Sequence, residues 1–250
     1  MRTILITGAT SGFGKACAEL FAQHNYRLII TGRRADRLEA LAKTLTDQTV
    51  EVLPLIFDVQ DRQACFTAIE NLPEKWRKID VLLNNAGLAL GRDTFDEADI
   101  QDWETMLDTN VKGLLYMSRA VLPLMKETGG GHIINMGSIA GKEVYERGNV
   151  YCASKFAVSA ISRAMRIDLL PHKIKVTLVC PGAAETEFGN VRFKGDDEKA
   201  ASVYAGYKPL SANDVAEIIY YVTTLPPHVC INDLEITPLA QGNAVYTFKE

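Results

Sequence analysis

Tyr151 and Lys155 stand four residues apart in Tyr151-Cys152-Ala153-Ser154-Lys155. On a helix that spacing puts both side chains on one face. A phenol ionises near pH 10, too high for easy proton exchange at neutrality. An ammonium close by favours the phenolate and depresses that pKa. A shift of about 3 units corresponds to roughly 4 kcal/mol of differential interaction. The pair therefore reads as an acid/base that passes a proton to or from a hydroxyl or carbonyl. Alone, Tyr-x-x-x-Lys is common by chance, and its plain reading is a pair on a helix surface. Two polar residues sharpen it. Ser138 follows an apolar run in Asn135-Met136-Gly137-Ser138, where a hydroxyl can hold a substrate oxygen. Asn110 interrupts a long helical pattern, either holding a water against Lys155 or marking a helix bend or cap.

Such a proton transfer needs a hydride partner, and the N-terminal stretch offers a place for one. Thr7-Gly8-Ala9-Thr10-Ser11-Gly12-Phe13-Gly14 joins the apolar run Ile4-Leu5-Ile6 to a helical pattern. A glycine-rich strand-to-helix turn lets backbone amides approach a pyrophosphate at a helix N-terminus. The spacing is G-x-x-x-G-x-G, and its alternative reading is a purely structural turn. After the second apolar run the chain reads Thr31-Gly32-Arg33-Arg34, with no acid to bind a ribose diol. Guanidinium groups there suit a 2′-phosphate through charge-assisted forks, which favours NADP over NAD. The plain alternative is two solvated arginines opening a helix. Asp58 and Val59 follow the third run as an adenine contact, although Asp58 alone reads as a helix N-cap. Asn85, Ala86 and Gly87 follow the fourth and let backbone lie close to a ribose, although Asn85 alone reads as a turn residue.

The elements that must position these groups are legible as a rhythm. Short apolar runs at Ile4–Ile6, Leu28–Ile30, Val50–Phe57, Ile79–Leu83, His132–Met136, Ile174–Val179 and near Leu234–Ile236 alternate with helical patterns. The runs are continuous, as strands buried on both faces require. Strand–helix–strand order implies a parallel sheet with helices on both faces. Residues Asp99 to Lys126 carry one long helical pattern. Residues 185–205 are polar and poorly periodic, and read as a substrate lid or as a surface insertion.

Composition bounds the rest. The chain has 250 residues, 47% hydrophobic, with 27 Lys plus Arg against 31 Asp plus Glu, a formal charge of −4. That balance, without a basic block, argues against nucleic acid or an anionic membrane as partner. The five cysteines and four histidines are scattered without ligand spacing, so no metal site is expected. The same cysteine pattern, with no secretory or membrane-spanning run, points to the cytoplasm.

Taken together, these residues resemble the short-chain dehydrogenase/reductases over essentially the full length. Thr7–Gly14, Asn84–Gly87, Asn110, Ser138 with Tyr151 and Lys155, and Pro181-Gly182 carry the likeness. The resemblance implies a single doubly wound α/β domain of Rossmann type over residues 1–250, with a parallel sheet of about seven strands. It implies Tyr151 as acid/base, Lys155 on the nicotinamide ribose, Ser138 on the substrate oxygen and Asn110 in a proton relay. Gly8, Thr10, Ser11, Gly12, Phe13, Gly14, Arg33, Arg34, Asp58, Val59, Asn85, Ala86, Gly87, Pro181, Gly182 and Thr186 join Tyr151 and Lys155 as the implied cofactor contacts. Members of this family usually pair two long helices between subunits, which implies a homotetramer here, with Glu235–Glu250 in a second interface.

Asp102–Met106, Thr186–Phe188, Asn190–Asp197 and Leu225–Val229 further resemble one branch, the NADP-dependent 3-hydroxy acid dehydrogenases. That branch oxidises serine or allo-threonine and reduces malonic semialdehyde. A desolvated substrate carboxylate needs a cation. Arg192 is the first candidate and Lys194 the second. The loop Lys142–Arg147 is bulkier than that branch leads one to expect, so Arg147 could add a contact or Glu146 repel one. Ala183-Ala184 is smaller than expected and could loosen the nicotinamide pocket. A carbonyl reductase for another alcohol, and a non-catalytic NADP sensor, are the competing readings.

Overall fold

Strand β1 (Thr3–Ile6) is buried along its whole length and apolar after Thr3, because it is covered on both sides. Ile4 and Ile6 pack into one apolar layer and Leu5 into the other, all fully buried. The computed structural model describes residues 1–46 and 50–249. Beside β1 lie β2 (Arg27–Gly32) and β3 (Val52–Ile56) on one side. On the other lie β4 (Val81–Asn84), β5 (Gly131–Met136), β6 (Ile174–Pro181) and β7 (Asp233–Ile236). The order is β3-β2-β1-β4-β5-β6-β7, and every pairing is parallel. Helices α1 (Gly12–Gln23), α2 (Ala35–Thr46) and α9 (Ala212–Thr224) supply one layer. Helices α3 (Arg62–Glu70) and α5 (Leu114–Glu127) supply the other, with the end of α6 (Asn149–Asp168) against it. The strand order reverses between β1 and β4, where open α/β sheets bind ligands beyond the strand carboxyl ends.

Two expectations needed adjustment. The run read as Val50–Phe57 forms a strand only from Val52 to Ile56, and it is half-buried. It is an edge strand, which also explains why Pro54, with no N–H to give, is tolerated there. The pattern from Asp99 to Lys126 is not one α-helix. Helix α4 (Ile100–Leu107) passes through a π-helical turn, Asp108–Gly113, into α5. Such turns recur at functional positions, and this one contains Asn110.

A buried polar network ties the helices to the sheet near the site. Asn84 Nδ2 donates to Ser118 Oγ and to Asn135 Oδ1, both at 2.9 Å, and Asn135 Nδ2 donates to Ser162 Oγ at 2.9 Å. Asn84 and Asn135 are paired across β4 and β5, so this chain links α5, the sheet and α6. Among the described residues, no helix is long and apolar enough to cross a membrane.

His132 on β5 carries a stability cost in acid. It is buried, with Nε2 2.7 Å from Thr177 Oγ1, and burial, then Lys175 and Arg2, push its pKa down to about 3. An unfolded histidine takes a proton near pH 6.5. Between pH 6.5 and 3 the unfolded chain therefore binds one more proton, and stability falls as pH falls. The full difference is roughly 4–5 kcal/mol at order of magnitude. Urea unfolding across that range should show the pH dependence of His132→Gln flattened by about one proton.

Candidate active site

The cavity at the strand carboxyl ends begins where β1 turns into α1. Ser11 precedes α1 in an extended conformation, and its side chain does not cap the helix. The first amides of the helix are thus left to whatever enters the cavity. Asn85 braces the turn, its Nδ2 donating to the carbonyls of Thr7 at 2.9 Å and Gly8 at 3.1 Å. Gly14 makes the close packing possible, because a Cβ there would lie 2.3 Å from the Gly8 carbonyl oxygen.

The cavity measures about 480 Å³ and is lined by Gly8, Thr10, Ser11, Gly12 and Phe13 of that turn. Arg33, Arg34, Asp58 and Val59 line it beyond β2 and β3, Asn85, Ala86 and Gly87 beyond β4, and Pro181, Gly182 and Thr186 beyond β6. Gly14 lies behind the wall as a packing residue and does not line it. Arg34 is already oriented: Nη2 donates to Thr10 Oγ1 at 2.8 Å and to Ser11 Oγ at 2.9 Å. Arg33 donates to Asp58 at 3.2 Å. Asp58 does not cap α3, a task that falls to Asp61; its other oxygen accepts from the Gln60 amide at 3.0 Å. Free helix-end amides at one end and two guanidinium groups at the other fit a dinucleotide carrying a 2′-phosphate.

Ser138, Tyr151, Lys155 and Arg192 line the same cavity. Tyr151 and Lys155 are one turn apart on α6, and both are buried. Ser138 ends the segment after β5, its Oγ accepting from the Ala140 amide at 3.1 Å and donating to the Pro181 carbonyl at 3.4 Å. Lys155 Nζ donates to the Met136 carbonyl at 2.9 Å and lies 5.9 Å from the Tyr151 ring centre. Burial holds the Lys155 ammonium down, to about 8.

The Tyr151 phenol differs from the sequence expectation. Burial among apolar neighbours, then Tyr145, raises its pKa, opposed by Ser138 and Arg192, and Lys155 is not among the groups that lower it. Desolvation dominates the shift, and the Lys155 ammonium is held by the Met136 carbonyl. Asn110 is likewise differently employed. Its Oδ1 accepts from the Leu88 amide at 2.8 Å, while Nδ2 donates to the Leu88 carbonyl at 2.8 Å and to Ser154 Oγ at 3.0 Å. Both of its N–H groups are used, and the side chain does not line the cavity but ties the π-helical turn to α6.

Residues 185–205 form two short helices, α7 (Phe188–Arg192), which lines the cavity, and α8 (Asp197–Ser202), which does not. The Arg192 guanidinium lies 5.5 Å from the Tyr151 ring centre, and its Nη1 donates to the Tyr145 hydroxyl at 3.0 Å. Lys194 turns away to pair with Asp102 at 2.8 Å and does not line the cavity. Neither Arg147 nor Glu146 lines it either; they are exposed and paired with each other at 3.9 Å. The contribution of that loop is Tyr145, to which spacing assigned no role. Glu187 also escaped notice: it accepts from Arg37 at 2.8 Å and from Arg34 at 3.3 Å. Arg37 sits one helical step beyond Arg34, a spacing visible in the sequence, but its partner lies 150 residues away.

The comparisons agree with this architecture. A family model described as short chain dehydrogenase matches residues 2–197. The chain is 48% identical over 242 residues to the NADP-dependent 3-hydroxy acid dehydrogenase YdfG of Salmonella typhi, covering 96% of each. It is 48% identical over 240 residues to sulfoacetaldehyde reductase 2 of Chromohalobacter salexigens, covering 96% of this chain and 95% of that one. It superimposes on the closed form of a serine dehydrogenase complexed with NADP+ with a TM-score of 0.93 and 46% identity, covering 99% of both chains. With its all-parallel seven-stranded sheet, glycine turn and match over most of its length, this chain belongs to the short-chain dehydrogenase family.

Proposed function

We propose that the chain is an NADP-dependent oxidoreductase acting on the 3-hydroxyl or 3-oxo group of a small acid, of the serine, allo-threonine or 3-hydroxypropionate type. Residues 1–250 act as one dinucleotide-binding and catalytic unit, with 185–205 as its lid. The observation that carries the reading is Arg192, a cation set against the ring of the buried Tyr151. A carboxylate entering so dry a pocket needs a paired cation. The relatives at 48% identity support NADP and the acid substrate.

The glycine turn and Arg34 hold the dinucleotide, with Arg33 and Arg37 adding positive charge beside the 2′-phosphate. When bound, the cofactor supplies the hydride-transferring ring. Ser138 holds the substrate oxygen against Tyr151, and Tyr151 takes or returns the hydroxyl proton. Lys155 holds the ribose, its ammonium 5.9 Å from the Tyr151 ring centre. Asn110 acts indirectly, by fixing the π-helical turn against α6.

A sulfonate in place of the carboxylate is the second reading, favoured by the sulfoacetaldehyde reductase relative. A guanidinium forks onto either anion. Initial rates of NADPH oxidation with malonic semialdehyde, sulfoacetaldehyde and propanal test both. One of the anionic aldehydes should exceed neutral propanal by about 10-fold or more in kcat/KM. Parity with propanal would remove the acid-substrate claim.

We also propose a cytoplasmic homotetramer. Free cysteines support the location. Exposed Ile100 on α4 and Phe156 and Ile167 on α6, with Leu239, Tyr246 and Phe248 in the tail, support the assembly. Light scattering should return four chain masses; a monomer mass at all concentrations would contradict it.

A further inference from the structure

Beyond β7 the chain folds back across the site. The Phe248 amide donates to the Ala240 carbonyl at 2.8 Å and the Gly242 amide to the Tyr246 carbonyl at 3.0 Å, making a short antiparallel return. The Ala244 amide is pinned to the Glu143 carboxylate at 3.1 Å. Most of this return is exposed, but Gln241 is driven inward and is 9% exposed. Its Oε1 accepts from the Ala183 amide at 2.8 Å. The approach is close: a Cβ at Gly182 would lie 2.3 Å from Oε1, so a larger residue there would require the Gln241 amide to shift.

That single bond settles which way the amide points. An N–H donor can be met only by the oxygen, so Nε2 is fixed at the other end, with two N–H groups to give. Nε2 has no acceptor among the described residues and is not sealed from solvent. Gln241 lines the cavity that holds Tyr151 and Arg192, and also an adjoining cavity of about 460 Å³ lined by Arg92. An acid group in this pocket has more acceptor sites than one guanidinium fork can fill.

We propose that Gln241 is a specificity-determining residue, donating from Nε2 to the acid group of the substrate beside Arg192. This rests on the acid-substrate reading. A neutral donor suits the position: it satisfies an oxygen of the acid without adding a cation that would compete for phosphates.

Gln241→Glu tests this at nearly constant shape. It keeps an oxygen for the Ala183 amide and replaces the donor by an anion. The expected result is a rise in KM for the anionic aldehyde that wild type prefers by about 10-fold or more. Rates with propanal and NADPH affinity by fluorescence should stay within about 3-fold of wild type. Gln241→Leu, which loses donor and acceptor without adding charge, should also raise that KM while leaving NADPH affinity intact. An equal fall for anionic and neutral aldehydes in Gln241→Glu would make Gln241 a support for the Ala183 turn and overturn the proposal. So would unchanged kinetics with both. Wild-type rates alone decide whether any acid is preferred, so failure of the acid-substrate reading is seen before a variant is made.

Discussion

Tyr151→Phe is expected to lower kcat by about 10²–10⁴-fold, the range for loss of a positioned general acid/base. That is roughly 3–5 kcal/mol of transition-state stabilisation. The ring stays, so its apolar neighbours Leu88, Met106 and Cys152 keep their packing, and NADPH affinity should be unchanged. The pH dependence follows from the sign of the pKa shift. Burial holds the phenol above its ordinary value, so across the neutral range it keeps its proton. That form can donate to a carbonyl, whereas alcohol oxidation needs the phenolate. Oxidation rates should therefore climb with pH while reduction rates stay flat near neutrality. The Phe variant should lose the climb. A variant with near-normal kcat and an intact pH profile would remove Tyr151 from the proton transfer.

Arg34→Ala is expected to raise the KM for NADP by about 10–100-fold, the cost of losing hydrogen bonds to a charged partner. The KM for NAD should change little, because NAD has no 2′-phosphate. Arg34 carries more of the effect than Arg33 because it is pre-set by Thr10 and Ser11, whereas Arg33 is more exposed and turned to Asp58. Pre-setting means less side-chain entropy is lost when the phosphate arrives. Glu187 shares Arg34 in this structure, and the phosphate must compete with that carboxylate. Parallel kinetics with NAD and NADP measure the discrimination directly. Equal losses with both cofactors would show that Arg34 supports the turn and does not read the phosphate.

What was legible in the sequence is what short spacing encodes. The Tyr151–Lys155 pair needs only one helical turn, and the glycine turn only a strand–helix junction, so both were found from local pattern. The inner strands were legible because burial on both faces makes them apolar runs, as at Ile4–Ile6 in β1 and Val81–Leu83 in β4. The edge strands blurred for the opposite reason: β3 and β7 are partly exposed. Helical periodicity passed straight through the π-helical turn, since one extra residue per turn barely disturbs a three- and four-residue pattern. The long-range partners were hidden. Glu187 with Arg37, Tyr145 with Arg192 and Gln241 with Ala183 are joined only by the fold. The direction of the Tyr151 shift in this structure depends on how deeply the phenol is buried, a quantity no spacing contains.

The oxidative half-reaction of the wild-type enzyme with NADP and L-serine, L-allo-threonine or 3-hydroxypropionate decides whether the chain is a 3-hydroxy acid dehydrogenase. NADPH formation, followed by its absorbance, is expected with at least one of these acids, and faster than with 1-propanol. Absence of NADPH formation with all three acids, in enzyme that binds NADPH normally, would contradict that reading.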